Sequence, residues 1–350
     1  MELKELIREL ASLMSITGYE DACSETIKKI ADEYFDGYFC DNVKNQILVK
    51  KSGRENAPKI VIDTHFDEIG MYVSEIKEGG FLKVTNIGGL DTRIMQASDV
   101  VIYGKENING VVASTPPHLS NAKDRETLLA VDELLIDTGY SEDELSELVS
   151  LGTPVGFYPK YTELLNSQLA GKGFDNKACA ACAVKALAEI DRGALAGDVY
   201  LLLSAHEETD RLGCVVCGTY TVNPDYAMVV DVNLGKTPDT KSRETVDMGE
   251  GVAITLSAVT DRALTKMTAE LCAEKEIKYQ RIVSATSTGT NATALSLVSG
   301  GVPVVDVGLP LKSMHTYNEI LNLDDAEALT RLIAEFVCSK KIAEVFGNVQ

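Results

Sequence analysis

The chain has 350 residues, a net charge of −20 at pH 7, 45% hydrophobic residues and 25% charged residues. This length is enough for a large core and predicts roughly two domains. The hydrophobic and charged fractions are those of an ordinary globular protein. The negative charge argues against nucleic acid or an anionic membrane as a partner, and it suits a site that binds cations.

The N-terminal segment alternates charged side chains with apolar ones. This pattern predicts an amphipathic helix and not the apolar core of a secretion signal. The sequence also contains no stretch that is long and apolar enough to span a bilayer. We therefore expect a cytoplasmic protein without a membrane partner.

The first part of the chain changes character near residue 70. Residues 1–66 predict two helices and then two strands, at 41–50 and 59–64. From about Met71 to Ser114, short β-rich runs alternate with glycine-containing turns. Closely spaced strands of this kind are typical of a small all-β module.

The second part of the chain returns to alternating strands and helices. A helix is predicted at 141–151, and the alternation continues from about Leu165 to the end. The later helices are expected at 176–192, 261–275, 291–299 and 324–345. The simplest account is an α/β domain with a mostly parallel sheet flanked by helices, formed by 1–66 plus 165–350, and an inserted all-β domain at 70–160.

The eight cysteines include two C-x-x-C pairs, Cys179 with Cys182 and Cys214 with Cys217. This spacing occurs in zinc ribbons. The first pair, however, lies in an alanine-rich segment that predicts a helix, where cysteine packs as a small apolar residue. The second pair encloses two valines, which predicts a buried segment. Reduced and mostly buried thiols are therefore the favoured interpretation.

Four short apolar runs end in, or lead to, residues that can bind a metal. The runs are 59–64 before His65 and Asp67, 198–205 before Glu207 and Glu208, 226–230 before Asp231, and 302–307, eight residues before His315. Runs rich in Val, Ile and Leu indicate buried strands of a parallel sheet. Because ligands bind beyond the carboxyl ends of such strands, these polar side chains are expected at one edge of one sheet. Histidines and carboxylates that meet there predict a two-metal hydrolase site.

Two of these candidates also have plain structural interpretations. His65 could bind a metal while Asp67 orients it through a hydrogen bond, or it could simply bond to a turn at the strand end. Asp175 precedes the alanine-rich helix, and Asp commonly caps a helix there. Because other candidate ligands are predicted nearby, a carboxylate that bridges two metals is the better interpretation of Asp175.

The pair Glu207-Glu208 follows a buried strand, where two adjacent carboxylates repel each other unless a cation or a proton intervenes. A metal bound by one of them would remove this repulsion, and the other could act as a general base. The alternative is a solvated pair in a loop. Asp231 and His315 likewise have structural alternatives when each is considered alone.

Taken together, the ordered set resembles the tetrahedral (TET) and glutamyl aminopeptidases, a family of co-catalytic two-metal peptidases. The likeness runs over nearly the whole chain and rests on these segments: Thr17-Gly18-Tyr19-Glu20, His65-Phe66-Asp67-Glu68-Ile69-Gly70, Asp175, Glu207-Glu208, Asp231, Gly289-Thr290 and His315-Thr316.

The resemblance implies a zinc-exopeptidase-like catalytic domain with two divalent ions, zinc or cobalt. One ion would be held by His65 and Asp231, and the other by Glu208 and His315, with Asp175 bridging. Glu207 would be the base that activates a water between the metals, so that N-terminal residues are removed from short peptides. The inserted domain would form dimer contacts, and family members commonly assemble into tetrahedral dodecamers. The all-β module also favours subunit contacts because open sheet edges need cover.

The chain departs from the family pattern beside the expected ligands. Asn176 and Lys177 stand where the family favours Asp and Arg, Cys179 replaces a glycine, and Asn291 replaces an aspartate. Lysine cannot reproduce the two-pronged hydrogen bonding of arginine. These departures leave the preferred N-terminal residue open.

Three functions remain to be distinguished. The favoured one is a metalloaminopeptidase that acts on peptides. The second is a two-metal hydrolase or deacylase of another small amide, and the third is a degenerate oligomeric scaffold. A homo-oligomer is expected, and the negative charge argues against nucleic acid as a partner.

Overall fold

A computed structural model describes residues 2–116, 118–119, 128–209, 211–238, 240–241 and 244–347. The helices among these residues are α1 (Leu3–Ser12), α2 (Ser24–Tyr34), α3 (Glu142–Leu148), α4 (Phe174–Glu189), α5 (Gly213–Val222), α6 (Arg262–Glu274), α7 (Ala292–Leu295), α8 (Leu323–Cys338) and α9 (Lys340–Phe346). None of these helices is long and apolar enough to cross a membrane.

The strands belong to one large sheet and one barrel. They are β1 (Gly37–Cys40), β2 (Gln46–Lys50), β3 (Lys59–His65), β4 (Gly70–Lys77), β5 (Phe81–Ile87), β6 (Asp99–Tyr103), β7 (Asn107–Val112), β8 (Ile136–Asp137), β9 (Pro154–Phe157), β10 (Thr162–Leu164), β11 (Gln168–Gly171), β12 (Asp198–Ser204), β13 (Tyr226–Leu234), β14 (Val252–Leu256), β15 (Tyr279–Val283), β16 (Val304–Lys312) and β17 (Glu319–Asn322).

The centre of the sheet consists of four parallel strands in the order β12-β3-β13-β16. These are the four apolar runs that the sequence predicts as parallel strands, and their carboxyl ends meet at one edge. The register sets Ser204 beside His65 and Asp231 beside Gly308. The chemistry-bearing residues therefore share one edge because the strands that precede them are in parallel register.

Antiparallel strands extend this parallel centre on both sides. β1 and β2 continue from β12, whereas β17, β11 and β10 continue from β16. β14 also pairs with β16 in antiparallel fashion and carries β15 on its other side. The predicted α/β class is confirmed, with the parallel pairing concentrated in the central strands.

Helices cover both faces of the sheet. Apolar residues of α1, α4, α6 and α8 form a core against one face. Residues of α5 and α7, among them Val215 and Leu295, form a second core against the other face with Val61 and Leu202. Burial on both faces explains why the central strands are nearly continuous in Val, Ile and Leu.

Six strands that lie between β3 and β10 in the chain form a closed barrel with the order β4-β5-β8-β7-β6-β9. Its strands pair in antiparallel fashion, and residues such as Met71, Ile102 and Val155 fill its core. A closed barrel has no free sheet edge. The expectation of open sheet edges in this segment is therefore wrong, whereas the expected subunit contacts of 70–160 stay a prediction.

Three predicted elements differ from the structure. The strand predicted at 41–50 begins only at Gln46, because the Asp41 carboxylate accepts the N–H groups of Val43 and Asn45 and holds a turn. The helix predicted at 324–345 is two helices that meet at Ser339, whose hydroxyl caps the second one. The helix predicted at 291–299 contains only the short α7 and a 3₁₀ turn.

Candidate metal centre and active site

His65 is the last residue of β3, and a backbone oxygen fixes the orientation of its ring. Its Nδ1 lies 3.2 Å from the backbone oxygen of Asp67. A carbonyl only accepts, so this bond places the proton on Nδ1 and leaves Nε2 free to act as a ligand. Nε2 lies 3.1 Å from Asp175 Oδ1 and 3.6 Å from Asp231 Oδ1.

Asp175 lies between two histidines. Its Oδ1 faces His65, and its Oδ2 is 3.5 Å from His315 Nε2. The capping alternative is not what the structure shows, because Gly173 occupies the N-cap position of α4 and Asp175 has non-helical dihedrals. Burial opposes ionisation of this carboxyl, but hydrogen bonds from His315 and His65 hold its pKa below the usual range.

His315 lies close to Glu208 as well as to Asp175. Its Nε2 is 3.3 Å from Glu208 Oε2. Burial and the neighbouring Asp175 raise the pKa of Glu208 well above its usual value. Burial also raises the pKa of Asp231, although the adjacent His65 opposes this shift.

Two groups of side chains among the described residues could hold a metal ion. They are His65 with Asp175 and Asp231, and Asp175 with Glu208 and His315, with the candidate ligand atoms of each group within 4.8 Å of one another. Buried carboxylates with raised pKa values and an excess of negative charge are a donor set that cations stabilise. Imidazole nitrogen and carboxylate oxygen are the ligands that zinc accepts. The residues present therefore fit two divalent ions that share Asp175.

Glu207 lies beside these groups and belongs to neither. Its Oε2 is 4.0 Å from His65 Nε2. Burial, reinforced by nearby carboxylates, raises the pKa of Glu207 to about 8, while His65 opposes the shift. A cation bound in either group would lower this pKa, since an adjacent positive charge favours the carboxylate.

Asp67 contacts His65 and also the backbone of Glu207 and Glu208. Its Oδ1 is 3.5 Å from His65 Nδ1. The backbone oxygen of Asp67 is closer to the same nitrogen, at 3.2 Å. Its carboxylate also accepts the N–H groups of Glu207 at 3.0 Å and Glu208 at 3.1 Å. The H-x-D spacing predicts that Asp67 contacts His65. It does not predict the contacts with Glu207 and Glu208, which lie in a distant part of the chain.

A cavity of about 610 Å³ opens over the two groups. All six candidate ligands and base residues line it: His65, Asp175, Glu207, Glu208, Asp231 and His315. Beyond them the wall carries apolar side chains such as Leu234, Ile282 and Met314, together with the hydroxyls of Ser284 and Thr288. This space is sufficient for the end of a peptide or another small amide.

The departures from the family pattern lie directly behind the candidate ligands. Asn176 Nδ2 donates to the Val230 carbonyl at 2.8 Å, and Cys179 Sγ lies 3.4 Å from the Asp231 carbonyl. Asn291 Nδ2 donates to Ser204 Oγ at 2.9 Å. Asn176 and Cys179 contact the backbone and Asn291 contacts a side chain, and none of the three belongs to a candidate metal group of the described residues.

Lys177 belongs to a buried ion cluster that the sequence analysis missed. Its Nζ lies 3.0 Å from Glu68 Oε1 and donates to the Leu13 carbonyl at 2.7 Å. Lys172 Nζ lies 2.7 Å from Glu68 Oε2. The three side chains are almost fully buried. No local motif signals such a cluster, because Glu68 lies 104 residues from Lys172 in the chain.

The two C-x-x-C pairs take no part in the candidate metal groups of the described chain. All four cysteines are free thiols; Cys179, Cys182 and Cys214 are buried, whereas Cys217 is exposed on α5. The interpretation as packed thiols fits the first pair. The second pair is only half-buried, because the helix turns one of its members outward.

Known proteins are similar to this chain over nearly its whole length. Residues 45–332 match the family model described as M42 glutamyl aminopeptidase. The lysyl aminopeptidase of Pyrococcus furiosus is 27% identical, over 94% of each chain. Among solved structures, the aminopeptidase APDkam598 of Desulfurococcus kamchatkensis is 25% identical, covers 99% of this chain and 98% of its own, and superposes with a TM-score of 0.90.

The TET1 peptidase of Pyrococcus horikoshii, which can assemble into a tetrahedron or a large octahedral shell, is also similar. It is 26% identical, with 96% of this chain and 99% of that chain covered and a TM-score of 0.84. The fold and these matches define the protein as a peptidase. The chain belongs to the M42 glutamyl aminopeptidase family.

Proposed function

We propose that this protein is a metal-dependent aminopeptidase that removes N-terminal residues from short peptides. The observation that carries the proposal is the position of Asp175. Its two oxygens face His65 and His315, so one carboxylate belongs to both candidate metal groups. Membership of a peptidase family supports the same reaction class.

In this proposal, His65, Asp231 and Asp175 would hold one ion, and Asp175, Glu208 and His315 would hold the other. Zinc or cobalt suits these nitrogen and oxygen donors. When bound, the two ions would supply Lewis acidity toward the peptide carbonyl and toward water.

Glu207 is the proton carrier of this scheme. It accepts a proton from the attacking water and delivers it to the amine that leaves, which is the task of a general base and acid in amide hydrolysis. Its support is positional: the carboxylate lines the cavity, lies 4.0 Å from His65 Nε2 and is not a member of either metal group. Asp67 holds Glu207 and Glu208 in place through their backbone N–H groups.

A release assay tests the activity. The reconstituted enzyme is given a short peptide with a free N-terminus and the same peptide with an acetylated N-terminus. An aminopeptidase releases the first residue from the free peptide and leaves the blocked one intact. Cleavage of the acetyl group indicates a deacylase, and the absence of turnover with metals bound indicates a scaffold.

The same proposal includes assembly and domain roles. We propose that 1–66 plus 165–350 form the catalytic domain and that 70–160 contribute contacts in a homo-oligomer built from dimers, which assemble into a tetrahedral dodecamer. The shells formed by the similar TET1 peptidase support this. A monomer at micromolar concentration in light scattering contradicts it, and a stable dimer contradicts only the dodecamer. The cytoplasmic location stays a prediction.

A further inference from the structure

Glu319 is a buried carboxylate next to the candidate metal groups that belongs to neither of them. It is the first residue of β17, it pairs with Gly171 of β11, and it is 2% exposed. No local sequence pattern marks Glu319 as part of the site. Its position is nevertheless central, because β11 leads to Asp175 and the loop before β17 contains His315.

The two carboxylate oxygens of Glu319 accept hydrogen bonds from two different segments. Oε2 accepts the N–H of Phe174 at 2.7 Å and the N–H of Asp175 at 3.1 Å. Oε1 accepts the N–H of His315 at 3.2 Å. One side chain therefore joins the backbone of the shared ligand Asp175 to the backbone of the ligand His315.

Both segments have conformations that need such support. His315 has a φ of 60°, in the left-handed region that non-glycine residues rarely adopt. The N–H groups of Phe174 and Asp175 lie at the start of α4, where a helix leaves its own donors unpaired. A carboxylate that accepts several N–H groups satisfies these donors and fixes the two segments against each other.

We infer that Glu319 is a positioning residue that sets the separation of Asp175 and His315, and thereby the affinity of the second metal group. This inference rests on the proposed metal sites. The group formed by Asp175, Glu208 and His315 depends on both segments that Glu319 joins. The other group depends on only one of them, through Asp175. Loss of the Glu319 carboxylate should therefore weaken the second ion more than the first.

The test compares Glu319→Gln with a matched control, Asp325→Asn. Asp325 is also a buried carboxylate, 1% exposed, and it accepts the N–H groups of Gly249 and Gly251 at 2.7 Å each. It lies in α8 outside both metal groups of the described chain. Both substitutions keep the size of the side chain and replace an acceptor oxygen by an NH₂ donor. Both should lower the melting temperature, because buried N–H groups lose a partner.

Metal affinity separates the two variants. Cobalt or zinc is titrated into the metal-free proteins against a competing chromophoric chelator, and the visible spectrum of the cobalt forms is recorded. For Glu319→Gln we expect the second ion to bind about 10–100-fold more weakly, with an altered cobalt spectrum. The Asp325→Asn variant should bind both ions like the wild type. Equal affinities and spectra in Glu319→Gln and the wild type would overturn the inference.

Two further outcomes are decisive. If Glu319→Gln does not fold, Glu319→Asp takes its place: it keeps the charge but is too short to reach all three N–H groups, so wild-type affinity for both ions overturns the inference. Metal binding needs no turnover, so a wild type that binds two ions without peptidase activity refutes the proposed function alone. A wild type that binds no ions refutes both.

Discussion

Asp67 holds the backbone of Glu207: its Oδ1 accepts the Glu207 N–H at 3.0 Å. Its Oδ2 accepts the N–H of Glu208 at 3.1 Å and the hydroxyl of Thr17 at 2.7 Å. The proposed base and one proposed ligand are therefore fixed by the same buried carboxylate that stands next to His65. The position of Glu207 depends on this contact and not only on the end of the strand before it.

Substitution of Asp67 by Asn should lower kcat by about 10–100-fold and weaken metal binding by a similar factor, because partners of metal ligands have effects of this size. The amide would present an NH₂ group to backbone donors. Thr17→Val removes only one hydrogen bond to the same carboxylate and should cost much less. Steady-state kinetics and metal titration of both variants provide the measurement. Equal losses in the two variants would contradict the role assigned to Asp67.

Removal of single ligands should separate the two metal groups. Asp175→Ala should lose both ions, because this carboxylate belongs to both groups. His315→Ala should retain the first ion and lose most of its affinity for the second. Elemental analysis after reconstitution and gel filtration measures the number of ions per chain. Two tightly bound ions in the Asp175→Ala variant would exclude a shared carboxylate.

In the buried ion cluster, Glu68 should contribute more to the free energy of unfolding than Lys177. Glu68→Gln leaves Lys172 and Lys177 without an anion and should cost about 3–5 kcal/mol of unfolding free energy. Burial lowers the pKa of Lys177 to about 8, so this lysine is the less costly member to neutralise. Lys177→Met leaves the Glu68–Lys172 pair intact and should cost about 1–3 kcal/mol, mainly through the unpaired Leu13 carbonyl. Urea unfolding of both variants tests the order.

Asp306 should make the stability of the metal-free protein depend on pH. It is buried, and Thr290 donates to its Oδ2 at 2.6 Å. Burial raises the pKa of Asp306 from 3.8 to about 6. The folded chain therefore keeps this proton at pH values where the unfolded chain has lost it. This retained proton stabilises the folded chain. Its contribution to the free energy of unfolding is complete below pH 3.8 and is lost as the pH rises through about 6.

The expected size of this loss is at most about 3 kcal/mol. Asp306→Asn cannot ionise and should lose less stability than the wild type between pH 4 and pH 6, roughly the window of the shift. Urea unfolding in the presence of a chelator at several pH values measures the difference. Parallel stability curves for the two proteins would contradict the assignment.

The parallel centre of the sheet and its polar edge could be predicted from the sequence because each depends on local patterns. Apolar runs in β3, β12, β13 and β16 indicate buried strands, and the residues that follow them must meet at one edge. In the structure, the Asp175 carboxylate lies 3.1 Å from His65 Nε2 and 3.5 Å from His315 Nε2. The assignment of each residue to a metal remains a proposal.

Other features could not be predicted because they join distant segments. Glu319 contacts the backbone of Asp175 across more than a hundred residues, and no local motif marks this. The closure of the barrel depends on pairing between β4 and β9, which periodicity does not reveal. The break at Ser339 was missed because the apolar pattern continues on both sides, although serine readily caps a new helix.

In the proposed mechanism, Glu207 moves the proton while the other carboxylates at this edge of the sheet hold the ions. The most direct test is kcat and metal content measured together for Glu207→Gln, with Glu208→Gln as the matched neighbour. Glu207→Gln should keep both ions and lose about 10²–10⁴-fold in kcat, since glutamine cannot carry the proton. Glu208→Gln should also lose metal. Near-normal kcat in Glu207→Gln with both ions bound, or loss of an ion from it, would contradict the account.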